Sequence, residues 1–213
     1  MKTFLVTLVI VFSGSLLLWE STDGGQAFTA ETARRLDVQK NPRLIPEWRL
    51  EDQNAEVFSL DTWRGHFVVV DFIYTSCPGV CLILSTGMRT LQDEFAMAGN
   101  ENDLRLLSIS FDPQTDTPDR LREHLVEHFS ADPDYWIAAR PISSEQLKSL
   151  LDFFKVVVIP DEYGGYTHSA GYHVIDPAGK LVAIFGFEQL PELRAYLAQA
   201  LQVEEHNGND QQI

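Results

Sequence analysis

The chain runs from an apolar segment straight into its only two cysteines, through Phe72-Ile73-Tyr74-Thr75-Ser76-Cys77-Pro78-Gly79-Val80-Cys81. The segment that leads in, residues 66–74, is a continuous apolar run typical of a buried central strand. The segment that follows, residues 82–95, has apolar residues at helical spacing, at Leu84, Met88, Leu91 and Phe95. This order places both thiols at the carboxyl end of a strand, where α/β sheets gather functional groups.

The spacing of the two cysteines is compatible with a metal site and with a disulfide. If one helix carried both, positions i and i+4 would share a face, with Cα atoms roughly 6.2 Å apart. That separation is near the upper limit of the disulfide range, about 4.4–6.8 Å. Two thiolates, each about 2.3 Å from one soft cation, fit the wider spacing easily. The spacing alone therefore leaves open a metal-binding pair and a strained, reducible bridge.

Length and composition indicate one domain with a leader. The chain has 213 residues, 45% of them hydrophobic, which is enough for one substantial core. Its formal charge of −15 argues against nucleic-acid binding, which normally requires a basic surface. The acidity suits a soluble protein that attracts cations or a locally basic partner.

The N-terminus has the pattern of an export signal or a membrane anchor. Met1-Lys2-Thr3 gives a short positive start, and residues 4–19 are apolar apart from a few small polar side chains. Gly25-Gln26-Ala27 offers small residues at a candidate cleavage site before Phe28. We therefore predict that residues 1–19 are a signal peptide or membrane anchor. The protein is then exported to the periplasmic face of the inner membrane, where it is anchored or released. In an oxidising compartment, an unpaired thiol pair needs a metal or a reductant.

The remaining segments predict a tether, one α/β domain and a tail. Residues 20–43 are polar and weakly periodic, so we predict a tether; residues 44–203 form the domain, and 204–213 a flexible acidic tail. The predicted elements of the first half of the domain are a strand pair at 48–60, a strand at 66–74, a helix at 82–95, a strand at 104–111 and a helix at 117–129. The second half is predicted to have a short strand at 135–139, a helix at 143–154 that starts with a Ser143–Gln146 capping box, hairpin strands at 171–176 and 180–187, and a helix from 191 with Leu193, Leu197 and Leu201 on one face. This order predicts a central mixed sheet flanked by helices.

His168 is the best candidate for a third metal ligand. It lies in the Gly/Ser-rich segment 164–171, which could carry an imidazole to the edge of a sheet, although an ordinary loop histidine fits the same pattern. His173 would face the other side of a continuing strand and is expected to be a packed or surface residue. His124 and His128 are four apart among charged residues, so we expect a solvated helix face. Asp112 ends a strand, where it either supports the cysteines or forms an Asp-Pro turn.

Three stretches together resemble the Sco/SenC family of copper proteins, which have a thioredoxin-like fold. They are DFIYTSCPGVC at 71–81, SISFDP at 108–113 with DTP at 116–118, and HSA at 168–170 leading to VIDP at 174–177 and Gly179. Their order and spacing cover about residues 45–200. The combination is specific, whereas the cysteine spacing alone would be weak.

The resemblance implies a function and a set of site residues. In that family two cysteines and a later histidine bind copper as Cu(I) or Cu(II). Members deliver copper to the dinuclear copper centre of cytochrome c oxidase, or reduce its cysteines. By resemblance, Cys77 and Cys81 are a redox-active pair that binds copper with His168, and Asp112 is the acidic residue of the family's strand-end motif. The implied partners are the copper-receiving subunit of a respiratory oxidase and a thioredoxin-like reductant.

Two positions depart from the family pattern. Leu82 stands where a proline usually follows the second cysteine, which could alter the start of the helix. Thr167 stands where an acidic residue often precedes the ligand histidine, which removes a charge beside the site. Neither change removes a ligand.

Besides a metallochaperone, the sequence is compatible with two other functions. A thiol-disulfide oxidoreductase would use the same cysteines, but the motif is not Cys-x-x-Cys and no proline lies between Asp161 and Asp176. A copper or redox sensor that acts on a membrane regulator would use the same metal site. Zinc also accepts two cysteines and a histidine.

Overall fold

The computed structural model describes two compact units, residues Met1–Asn41 and Pro42–Ile213. The residues that it describes are 7–8, 10–15, 29–99, 103–162 and 164–209. Most of the predicted leader, together with its candidate cleavage site, lies outside these residues. Among the described helices, none combines the length and hydrophobicity that crossing a bilayer requires.

The first unit contains a helix, α1 (Ala30–Lys40), within the segment predicted to be a tether. Thr29 caps its N-terminus, because the Thr29 hydroxyl accepts a hydrogen bond from the Thr32 N–H at 3.1 Å. Glu31 in the first turn pairs with Arg34 and Arg35 at i+3 and i+4. These local interactions stabilise a helix that weak hydrophobic periodicity did not indicate.

The second unit is built on a mixed sheet of eight strands in the order β1-β10-β9-β4-β5-β6-β2-β3. Its strands are β1 (Arg43–Leu44), β2 (Arg49–Asp52), β3 (Val57–Ser59), β4 (Phe67–Ile73), β5 (Leu104–Ser110), β6 (Trp136–Pro141), β9 (Gly171–Ile175) and β10 (Lys180–Gly186). The remaining two, β7 (Val158–Pro160) and β8 (Tyr166–His168), form a separate antiparallel pair. Strands β4, β5 and β6 are parallel, and the other pairings are antiparallel. The mixed sheet predicted from the sequence is confirmed.

Helices cover the sheet and supply the other half of the core. They are α2 (Val80–Met97), α3 (Pro118–Arg122), α4 (Ser144–Phe154) and α5 (Leu190–Asn209). Every residue of β4 is buried, as expected for a central strand. The predicted apolar stripes also face inward: α2 buries Leu84, Met88, Leu91 and Phe95, and α5 buries Leu193, Leu197 and Leu201.

Three helix details differ from the predictions. The helix predicted at 117–129 is α-helical only to Arg122 and continues as a π-helix over Glu123–His128. Ser143 caps α4, but the Gln146 side chain accepts from the Arg49 N–H instead of closing a capping box. The backbone of α5 continues to Asn209, six residues into the segment predicted to be a flexible tail.

The sheet brings distant segments to one edge, here called the carboxyl edge, where the parallel strands β4, β5 and β6 end. Strand β9 is antiparallel to β4 and therefore begins at this edge. Strand β10 is antiparallel to β9 and ends there, with Gly186 opposite Gly171. Residues after β4, before β9 and after β10 consequently meet at one place.

Candidate metal centre

The two cysteines lie at the carboxyl edge, but not on one helix. Cys77 sits in the turn before α2, because the helix begins at Val80, and only Cys81 is helical. The Cys81 N–H points to the Cys77 sulfur at 3.4 Å, and the Cys77 N–H donates to the Tyr74 carbonyl at 3.2 Å. Both are free thiols and both are buried. The assumption that both cysteines share helical geometry was wrong; Pro78-Gly79 instead forms a turn that folds one sulfur over the first turn of the helix.

His168 comes to this pair from the end of β8. Its Nε2 lies 3.4 Å from the Cys81 sulfur, and its Nδ1 lies 3.0 Å from the Ser169 carbonyl. Because a carbonyl only accepts hydrogen bonds, Nδ1 carries the proton and Nε2 presents its lone pair to the sulfur. The backbone contact therefore fixes the tautomer suited to binding a metal through Nε2.

The three side chains are close enough to share one ion. The two sulfurs and the imidazole nitrogen lie within 4.8 Å of one another. Ligand atoms about 2.0–2.3 Å from a common ion fall within this range of separations. Among the described residues, Cys77, Cys81 and His168 are the one group of three potential ligands that converges in this way. Two thiols and one neutral nitrogen form a soft donor set, which fits copper.

Burial favours the neutral forms of Cys81 and His168 in the absence of metal. It raises the pKa of the Cys81 thiol, and the neighbouring Cys77 thiol and the Asp71 charge raise it further. Burial lowers the pKa of His168, and the hydrogen bond to Ser169 opposes this shift only in part. The Cys81 thiol would lose its proton when a soft cation binds, whereas the neutral imidazole can bind the cation through Nε2 without losing one.

An aromatic cluster holds the β7–β8 hairpin in place. The His168 ring lies 4.8 Å from the Phe111 ring, and Tyr166 packs edge-on against Tyr74 at 5.2 Å. The Tyr166 N–H also donates to the Tyr74 hydroxyl at 3.4 Å. Sequence reasoning missed this role, although the aromatic residues that follow β4 and β5 were a visible signal at the carboxyl edge.

The loop before Cys77 is held by Asp116, another residue whose role sequence reasoning missed. The Asp116 carboxylate accepts from the Thr75 N–H at 3.1 Å and from the hydroxyls of Thr75 and Ser110 at 2.5 Å each. Burial raises the pKa of Asp116, while these hydrogen bonds lower it. Three hydrogen bonds to one buried carboxylate fix the backbone two residues before the first thiol.

Asp112 forms the turn that follows β5. Its carbonyl accepts from the N–H groups of Thr115 and Asp116 at 3.1 and 2.9 Å. Burial raises the pKa of Tyr166 and of Asp116, and the Asp112 charge raises both further. Within the described part of the chain, no hydrogen bond joins its carboxylate to the cysteines or to His168. An effect of Asp112 on the metal centre therefore stays a prediction.

His173, His124 and His128 do not belong to this centre. His173 is buried between the rings of Phe72 and Phe154, at 5.4 and 5.3 Å, a packed residue as expected. The solvated face predicted for His124 and His128 is wrong for His124, which is only 4% exposed. His124 Nε2 lies 3.3 Å from the Ser85 hydroxyl, and burial lowers its pKa to about 4. The π-helical turn and the Ser85 hydroxyl on α2 explain how the His124 side chain can be buried.

Comparisons with known proteins place this geometry in a family. An SCO2-like protein of Rickettsia typhi is 26% identical over 192 residues, which cover 87% of this chain and 90% of that protein. The copper-bound structure of Bradyrhizobium japonicum ScoI is 24% identical, with a TM-score of 0.59 over 72% of this chain and 99% of that one. BsSco, described as a member of the Sco family of cytochrome c oxidase assembly proteins, is 22% identical, with a TM-score of 0.64 over 75% of this chain and 94% of that one.

The structural similarities confirm the thioredoxin-like fold that the resemblance implied. A family model described as SCO1/SenC matches residues 37–202. This range contains both cysteines, His168 and every strand of the sheet. The match covers most of the sequence, and the chain therefore belongs to the SCO1/SenC family.

Proposed function

We propose that this protein binds one copper ion through Cys77, Cys81 and His168. The observation that carries the proposal is the 3.4 Å approach of His168 Nε2 to the Cys81 sulfur, between residues 87 positions apart. Two sulfurs and an imidazole suit Cu(I) and also hold Cu(II). Family membership and the copper-bound Bradyrhizobium ScoI support copper over zinc.

The proposed role is copper delivery to a respiratory cytochrome oxidase by an exported protein. Three protein ligands leave a coordination position through which a thiolate of the recipient can enter. Each new bond to the recipient replaces one bond to this chain; each released thiolate recovers a proton, whereas the imidazole leaves as the neutral ring. The description of BsSco as an oxidase assembly protein supports this role, and the apolar N-terminal sequence supports export.

Copper binding by defined variants tests the metal site. The reduced full chain is loaded with Cu(I), and the stoichiometry and affinity are measured by competition with a chromophoric chelator. Cu(II) loading is followed by the sulfur-to-copper absorption. We expect Cys81→Ser, which leaves one thiolate, to weaken and shift the sulfur-to-copper absorption, and His168→Ala to lose affinity. His128→Ala, an exposed histidine outside the centre, is the matched control. One-to-one binding of unchanged affinity in His168→Ala would remove that residue from the copper site.

A thiol-disulfide exchange function is the second candidate, because both thiols are free and lie within one turn of chain. Oxidation of the pair to a disulfide would release two protons and two electrons to a partner disulfide, which becomes a dithiol. The metal-free reduced protein would then reduce insulin at the rate of a thioredoxin. Insulin reduction at the background rate of free thiols would leave copper binding as the function of the pair.

A further inference from the structure

A buried carboxylate joins the ends of two neighbouring strands next to the candidate metal centre. Asp116 is only 1% exposed, and its carboxylate accepts three hydrogen bonds. Two come from Thr75, the second residue after β4, through its N–H at 3.1 Å and its hydroxyl at 2.5 Å. The third comes from the hydroxyl of Ser110, the last residue of β5, at 2.5 Å. Asp116 therefore holds the chain that leaves β4 against the end of β5.

The same carboxylate supports the short segment that carries Cys77, residues 75–79. Within the described part of the chain, no other group from outside residues 74–84 forms a hydrogen bond with this segment. The segment has little rigidity of its own, because the proline of Pro78-Gly79 has no N–H to donate and the glycine has wide conformational freedom. Hydrogen bonding therefore fixes the segment through Asp116 at its start and through α2 at its end.

The backbone on both sides of Asp116 holds the carboxylate in place. The Asp116 N–H donates to the Asp112 carbonyl at 2.9 Å, in the turn that follows β5. The next residue, Thr117, caps the N-terminus of α3 with its hydroxyl. Leu121 of α3 is fully buried and belongs to the hydrophobic core of the domain. The position of Asp116 is therefore set by the core, and its hydrogen bonds pass this position on to Thr75.

The placement of Cys77 decides whether the three candidate ligands can share an ion. Cys81 belongs to α2 and His168 to β8, whereas Cys77 lies outside every helix and strand. The ligand atoms of the three residues already lie within 4.8 Å of one another. A ligand whose backbone is held in place loses less conformational entropy when the ion binds, which increases the affinity. Asp116 can therefore raise the affinity for copper without touching the ion, a conclusion that rests on the proposed function.

We propose that Asp116 is the residue that positions Cys77 for copper binding. It acts through Thr75 as an acceptor of hydrogen bonds, and its negative charge is not required. Loss of the carboxylate releases the start of the segment, so that Cys77 must be ordered each time an ion binds. Support of the cysteines, which the sequence suggested for Asp112, is here assigned to Asp116.

Two substitutions of Asp116 in the full chain separate positioning from charge. Asp116→Ala removes all three hydrogen bonds and should weaken Cu(I) binding about tenfold, measured by competition with a chromophoric chelator. Asp116→Asn should stay within about threefold of the wild type. Its amide oxygen can accept from the Thr75 N–H and the Ser110 hydroxyl, while its NH2 group donates to the Thr75 hydroxyl oxygen. Binding by Asp116→Asn that is as weak as that of Asp116→Ala would show that the charge is what matters, and would overturn the proposal.

Thr75→Val and Ser110→Ala are a matched pair that separates positioning from stability, and they remain informative if Asp116→Ala does not fold. Each removes one hydroxyl that donates to Asp116 at 2.5 Å, but only Thr75 belongs to the segment of Cys77. Ser110→Ala also removes the acceptor of the Asp112 N–H, so it should lower the free energy of unfolding at least as much. Copper affinity should fall about fivefold in Thr75→Val and no more than about twofold in Ser110→Ala. Equal losses of affinity would mean that the contacts of Asp116 act only through stability, which contradicts the proposal.

Amide hydrogen exchange of the reduced protein without copper tests the positioning apart from metal binding. The Cys77 N–H should exchange about tenfold faster in Asp116→Ala than in the wild type, while the amides of β4 and α2 keep their rates. Unchanged exchange at Cys77, or wild-type copper affinity in Asp116→Ala, would overturn the role of Asp116 and leave the proposed copper site intact. A wild-type protein that binds no copper would overturn the proposed function and this role together.

Discussion

Asp71→Asn should stabilise the protein more at pH 8 than at pH 5. Asp71 lies in the central strand β4 with no exposed surface, and neither carboxyl oxygen has a hydrogen-bond partner within the described residues. Burial raises the pKa of this carboxyl from 3.8 to about 7, and the Ser108 hydroxyl beside it opposes the shift only in part. A raised folded-state pKa means that the free energy of unfolding falls as pH rises from about 4 through 7.

The magnitude follows from the proton that only the folded state retains. Between pH 5 and pH 7 the unfolded carboxyl is already ionised, so the wild type loses up to about 1.4 kcal/mol per pH unit, or ~2.3 kcal/mol over this interval because the folded carboxyl is half ionised at pH 7. Asparagine has nearly the same shape and does not ionise. Its own packing and desolvation costs are the same at both pH values, so they cancel in the comparison.

Urea unfolding of the wild type and Asp71→Asn at pH 5 and pH 8 measures this difference directly. We expect the free energy of unfolding of Asp71→Asn, relative to that of the wild type, to be about 2–3 kcal/mol higher at pH 8 than at pH 5. Asp134→Asn, at an exposed position, controls for the loss of one negative charge from an acidic protein. An Asp71→Asn effect of equal size at both pH values would refute the reasoning, because it would show that the buried carboxyl does not change ionisation in this range.

Three further predictions concern other buried contacts. Burial lowers the pKa of His124 in the folded state to about 4, so the free energy of unfolding decreases as pH falls below 6.5, the pKa of this side chain in the unfolded chain. His124→Gln should remove up to about 3 kcal/mol of this decrease, measured by unfolding titrations at several pH values. Tyr74→Phe removes the hydroxyl that accepts from the β8 backbone, and should weaken copper affinity several-fold and alter the Cu(II) absorption while leaving the melting temperature nearly unchanged. Gly87→Ala would place a Cβ 2.0 Å from the Tyr172 hydroxyl and should cost about 1–3 kcal/mol in thermal or urea unfolding, whereas Thr86→Ala, next to it and exposed, should cost much less.

The sheet was predictable because its central strands are long and continuously apolar. Residues 66–74 and 104–111 contain β4 and β5, and the spacing of Leu84, Met88 and Leu91 correctly identified the buried face of α2. Apolar patterns of this length rarely occur by chance, because each of their residues must be buried in the same core. The same patterns placed the cysteines at the correct edge of the sheet.

The parts that escaped prediction depend on short elements or on distant partners. Strands β7 and β8 have three residues each, too few to show an alternating pattern, so the segment of His168 was taken for a loop. The inward position of His124 depends on Ser85, 39 residues earlier. The Gly/Ser-rich segment made His168 a candidate ligand but left an ordinary loop histidine equally open, because no local pattern encodes a contact with Cys81, 87 residues earlier. The family resemblance then favoured the ligand role before the fold was known.

The chain forms two separate sheets, and the three candidate ligands are not all attached to the same one. Both sulfurs are carried by the segment that joins the central strand to α2, whereas the imidazole belongs to a two-stranded ribbon outside the main sheet. If copper binds as proposed, a displacement of the ribbon would remove the imidazole from the ion while both sulfurs stayed in place. In the proposed delivery the nitrogen would then leave first and the sulfurs last, so that soft ligands would remain on the ion until a recipient supplied its own.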